Sequence, residues 1–129
     1  MAGYRAVVGV THATIPGVEA FTQALIVQLE AHFRAYPFLF GTRPSIADFA
    51  LYGPLWAHLY RDVGSTYLFR DAPHVVAWFE RLMNPIGRDG AFLPDDQVPA
   101  TLEAGRVGWD HYRFLGHCKG LIQARAAQG

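Results

Sequence analysis

The chain carries one cysteine, Cys118, so an internal disulfide is excluded and a reducing, cytoplasmic setting is the simplest reading. It has no excess of charge either. Eleven basic side chains stand against eleven acidic ones, which removes the electrostatic footprint of a nucleic-acid binder or a polybasic membrane-surface protein. No apolar run reaches the ~18 residues needed to cross a bilayer, and the first ten residues lack the charged start and sustained apolar stretch of a secretory leader. Charged residues are only 17% of the 129, whereas 51% are hydrophobic, the balance of one packed globular domain rather than a disordered tail. Phosphate-binding glycine motifs, nucleotide fingerprints, serine-protease-like signatures, internal repeats and low-complexity stretches are all missing. What is abundant is aromatic: nine Phe, six Tyr and three Trp.

Hydrophobic periodicity predicts an all-α fold, a small helical bundle. Val18, Phe21, Leu25, Leu29, His32 and Tyr36 recur every three or four residues, with Ile26 and Phe33 widening the stripe, so an amphipathic helix is predicted over 17–36. Pro16 suits its first turn, Glu19 adds a favourable charge there, and Pro37 ends it. A second helix over 45–61 starts at a capping box, Ser45-Ile46-Ala47-Asp48, in which Ser45 accepts from the amide of Asp48 and the Asp48 carboxylate returns to the amide of Ser45. Phe49, Tyr52, Trp56, Leu59 and Tyr60 share one side and Leu51, Leu55 and His58 another, the pattern of a central, buried helix, with a kink predicted at Pro54. A third helix over 72–83 buries Val75, Trp78, Phe79 and Leu82 and stops at Asn84-Pro85. Residues 1–16 read as an N-terminal arm and 85–98 as loop. In the tail, 99–129, Gly105, Gly108, Gly116 and Gly120 each cost a helix about 1 kcal/mol relative to alanine. Ala104, Gly108, Gly116, Gly120 and Ala124 nevertheless share one row, interrupted by Tyr112. Close helix packing and a frayed, weakly helical tail both remain open.

The stretch Pro37-Phe38-Leu39-Phe40-Gly41-Thr42-Arg43-Pro44-Ser45-Ile46-Ala47-Asp48-Phe49-Ala50-Leu51-Tyr52-Gly53 resembles the heart of the helical C-terminal domain of glutathione transferases. There a leucine-rich helix leads into a Gly-x-x-Pro-Ser/Thr loop and then into a capped, buried helix. Leu25, Leu29, Glu30 and Phe33 upstream, and Asp71-Ala72-Pro73-His74-Val75 with Trp78-Phe79-Glu80-Arg81 downstream, extend the resemblance over about 17–83. It implies that Ser45 and Asp48 are the family's structural capping pair and not catalytic residues. It also implies that glutathione would be held by a separate thioredoxin-like domain. Sixteen residues ahead of the first helix are too few for one, since a βαβ unit alone takes about 30. The family's first long C-domain helix has no convincing counterpart, and from Gly105 the chain departs again.

Chemical constellations are sparse. His111, His117 and Cys118 are metal-ligand types whose H-x5-H-C spacing matches no established zinc site, so no metal is expected. Cys118 beside His117 and Lys119, or His58 on the aromatic helix, are the residues an enzyme would use, with a small buried thiol and a core-edge histidine as the plainer readings. Asp95 and Asp96 read as a turn. Tyr52, Trp56, Tyr60, Trp78 and Phe79 form a candidate apolar pocket, although aromatic residues at helical spacing more often form plain core.

These residues point to a glutathione-transferase-like helical domain without independent glutathione transfer, serving as a protein-interaction or apolar-ligand module. No catalytic residue and no cofactor of its own are expected, and glutathione enters only if a partner supplies the missing half-site. The alternative is a small-molecule enzyme of the same ancestry using the aromatic pocket with His58, His117 or Cys118. So many aromatic residues in three evident helices exceed what the chain easily covers alone, so a homodimer or protein partner is expected, through the Gly108, Gly116 and Gly120 row or the exposed side of the first helix.

Overall fold

The computed structural model describes residues 11–84 and 89–103. The described residues are mainly helical, as the periodicity predicts, with four α-helices among them. A turn at Thr11–Thr14 leads into α1, Ile15–Ala35, with Pro16 in its first turn. Glu19 lies beyond that first turn, so the predicted charge effect at the helix start is not made. Tyr36 is extended, at φ −126° and ψ 138°, the conformation that Pro37 imposes on its predecessor, and the helix stops there.

The packed stripe of α1 is shorter than its sequence pattern. Ile26, Leu29, Glu30, His32 and Phe33 are buried, whereas Val18 and Phe21 are 43% and 38% exposed, so the buried stripe begins only at Ile26. A periodic stripe states only which face is apolar. It does not say how much of that face is buried.

The second helix is divided. α2, Ile46–Pro54, is regular, and Leu55–Tyr60 continues it as a π-helical turn in which Arg61 N–H bonds the carbonyl of Trp56 at 3.0 Å. Pro54 has no N–H to donate to the preceding turn, and the wider winding follows directly after it. Nor is the helix buried all round, as its composition predicts. Only Asp48 and Leu55 are buried, while Ile46 is 90% and Phe49 47% exposed. A 3₁₀ turn at Thr66–Phe69 returns the chain to α3, Pro73–Met83, whose Val75, Trp78, Phe79 and Leu82 are all buried. The core lies between α1 and α3: Phe33 stacks on Trp78 at 4.6 Å between ring centres, and Ile26, Leu29, Phe38, Leu55 and Phe69 close around them.

Residues 89–103, loop as far as Pro99 apart from a short turn at Pro94–Asp96, form a strap back to α1. Thr42 N–H donates to Ala91 O at 3.0 Å, Leu93 N–H to Phe40 O at 2.8 Å, and the Arg43 guanidinium lies 5.5 Å over the Phe92 ring. This close backbone approach requires two glycines. Gly41 sits at φ +131°, where a Cβ would stand 2.6 Å from Ala91 O, and a Cβ on Gly90 would stand 2.2 Å from Thr42 O. Asp95 and Asp96 form a tight turn, both at positive φ. The strap ends in α4, Ala100–Glu103, packed on α1. No helix among the described residues is long and apolar enough to cross a membrane.

Candidate functional site

The sequence places Ser45 and Asp48 at the start of α2, and both capping-box bonds are present: Asp48 N–H donates to Ser45 Oγ at 3.4 Å, and Ser45 N–H to Asp48 Oδ2 at 2.8 Å. The carboxylate does more than cap. Its Oδ2 also accepts from Ser45 Oγ at 2.7 Å, and its Oδ1 accepts from Leu39 N–H at 2.9 Å and from the Trp78 indole N–H at 3.0 Å. A fully buried Asp48 thus joins the 37–45 loop, α2 and α3. A carboxylate with four donors at hydrogen-bond distance keeps little accepting capacity for a substrate.

Glu30 is a second buried hub, and one that the capping rules applied along the chain do not find. Ala72 precedes α3 and has no side chain with which to cap it. Glu30 reaches across from α1 instead. Its Oε2 accepts from His74 N–H at 2.9 Å and Val75 N–H at 3.1 Å, while Oε1 meets His74 Nδ1. A carboxylate at a helix N-terminus satisfies orphan amides and complements the helix dipole, whichever element supplies it. A faint signal was available, in a helix start with proline but no capping residue together with an acidic residue inside an apolar stripe.

His32 is the third buried polar group. Phe38 O can only accept, so Nε2 carries the proton and donates to it at 3.1 Å. Nδ1 then accepts from the Thr101 hydroxyl at 2.7 Å. Burial pushes its pKa below the ordinary value, against the raising effects of the Phe38 carbonyl and the Asp48 charge. Beside it Gln28 Nε2 donates to Thr101 O and Leu102 O, at 3.0 and 2.9 Å.

The five candidate pocket rings meet, but as packing. Tyr52 stacks on Trp56 at 5.6 Å and meets Trp78 and Phe79 edge-on, Tyr60 lies 5.3 Å from Phe79, and Trp78 and Phe79 are almost wholly buried. A cavity of about 370 Å³ lies elsewhere, between α1 and Leu68, Asp71 and Ala72, with Ile26 and Val27 among its apolar walls and Glu30 and Arg34 among its charged ones. None of the five rings lines it. His58 is exposed on the π-helical turn, not at the edge of the core. His111, His117, Cys118 and the glycine row lie outside the described residues. Among those described, no group of three potential metal ligands converges.

One surface does stand out, the outward face of α2. Ile46, Phe49, Ala50 and Gly53 fall at helical spacing on the side away from Asp48 and Leu55, and Ala57 follows on the π-helical turn. Ile46, Phe49, Ala50 and Ala57 are exposed and Gly53 half-buried, and none of the five carries a polar side chain.

The model of the glutathione S-transferase C-terminal domain matches residues 14–85, more than half of the chain, and the protein belongs to that family. No curated protein and no solved structure gives a significant match.

Proposed function

We propose that this family member is a protein-interaction module without glutathione transfer of its own, that the outward face of α2 is its docking surface, and that a second copy of the chain is its partner. The observation that carries the reading is that face: an exposed helix side, from Ile46 through Phe49 and Ala50 to Gly53, that offers water only apolar or small groups. Monomers seldom expose contiguous apolar patches above a few hundred Å². Small residues at 50 and 53 permit a close helix crossing, and a two-fold pairing covers the same patch on both copies. The buried polar side chains Glu30, His32 and Asp48 all bond backbone groups and structural side chains, which supports a scaffold more than a reaction centre. A single thiol fits a reducing, cytoplasmic setting.

Light scattering across a concentration series tests this directly. The wild type is expected to dimerise, and Phe49→Glu to weaken association by more than about tenfold, because a charge is then buried in the interface. Val27→Glu, on the exposed side of α1, should leave the dimer intact. A monomer at every concentration, or a dimer unaffected by Phe49→Glu, overturns the proposal. Turnover of glutathione with a generic electrophile, abolished by one substitution at His58 or Cys118, overturns the non-catalytic reading.

A further inference from the structure

The strap is fastened at two ends by different chemistry. Its first end is held by backbone bonds to Phe40 and Thr42. Its last end, Pro99 to Glu103, is held on α1 by two side chains: Gln28, on the carbonyls of Thr101 and Leu102, and the wholly buried His32, on the Thr101 hydroxyl. We propose that this end is a proton-released latch, in which protonation of His32 frees residues 99–103 from α1 while the rest of the bundle stays folded.

The reason lies in the asymmetry of the histidine's surroundings. A proton on Nδ1 does not of itself break the hydrogen bonds, since the Thr101 hydroxyl can turn its lone pair to the ring and Phe38 O still accepts. What is lost is water around a buried cation. Phe33 of α1 meets the ring edge-on, Tyr36 just past the helix end stacks on it at 5.1 Å, and Phe38 is anchored in the core. The strap wall is the buried Pro99 and α4, four residues long, docked through Pro99, the half-buried Leu102 and the two side-chain clasps. It is the wall that can move and admit water to Nδ1.

The charges facing the ring can be named from each side. Asp48 of α2 favours the protonated form, and its carboxylate is already bonded four times. Arg81 of α3 donates from Nε to Pro37 O and lies 6.0 Å over the Phe38 ring, placing a cation beyond the loop. The strap brings Thr101 and an exposed Glu103. Glu30 bonds the start of α3 with His74. Desolvation outweighs the help from Asp48 and holds the ring neutral while the latch is closed.

NMR on the intact protein tests the latch from about pH 7.5 to about pH 5, where a histidine titrates. The His32 ring and the amide protection of Leu102 and Glu103 are followed together, with Phe79 as the core reference. Opening at Leu102 should increase about tenfold per pH unit between the ordinary histidine value and the lower value of the closed state. Phe79 should change less than about twofold. His32→Gln should abolish the pH dependence and His74→Asn should retain it. A His32 ring that stays neutral, a protonated ring under a closed strap, or protection lost in step at Phe79 and Leu102 overturns the proposal. These readings stand on the wild type even if His32→Gln fails to fold.

Discussion

At the residue scale, the buried carboxylates carry roles that their chain neighbours only partly reveal. Ser45 and Asp48 look equivalent as a capping box, yet Asp48 also accepts from Leu39 N–H and Trp78 Nε1–H. Asp48→Ala leaves those donors without an acceptor in the interior, at a cost of about 1 to 3 kcal/mol for each buried donor orphaned. We therefore expect Asp48→Ala to destabilise by about 3 to 5 kcal/mol, and Ser45→Ala by about 1, an ordinary lost cap. The double variant should cost less than the sum, because both residues serve one box. Urea unfolding of the four proteins measures the cycle. Equal single-variant effects would show that the loop and indole bonds contribute nothing beyond the cap.

At the element scale, α3 begins without a cap of its own and borrows one. Glu30 satisfies the amides of His74 and Val75 from α1, so the contact that stabilises the start of α3 also sets its position against α1. Glu30→Ala is expected to cost about 2 kcal/mol, the upper range for a cap, because the Val75 amide is buried away from replacement water. Hydrogen exchange should show the loss first at His74 and Val75. Unchanged protection there, with α1 loosened instead, would show that the carboxylate matters to α1 alone.

At the scale of the whole molecule, stability should depend on pH through His32. Burial holds its folded pKa below the ordinary value near 6.5, so the unfolded chain binds the proton more readily. The stability is then fully present above about pH 6.5 and is lost as the pH falls through the folded value. The urea midpoint is expected to be level from about pH 8 to 7 and to decline toward pH 5. If the strap opens, the ring regains water within the folded state, and the decline flattens. A midpoint that rises on acidification would mean that folding favours the protonated ring.

The amino-acid sequence by itself determined where the three main helical segments lie, because proline at 16, 37 and 73 and the apolar spacing act within a few residues of chain. It determined the Ser45 and Asp48 box for the same reason, since both partners lie within one turn. The family was legible in the Gly41 to Asp48 loop, where Gly41 is required by its positive φ and by the Ala91 carbonyl. Contacts between distant segments were decided only by the tertiary structure. Periodicity made α2 a buried helix, but only its Asp48 and Leu55 side meets the core, so Ile46 and Phe49 face outward. Of the five rings offered as pocket or plain core, Trp78 and Phe79 are buried and Tyr52, Trp56 and Tyr60 half-buried, packed ring on ring, with Trp78 of α3 between Phe33 and Tyr52. Glu30 at the head of α3 and His32 under the strap each depend on groups more than 40 residues away, and no local pattern records which distant backbone a buried polar side chain will satisfy.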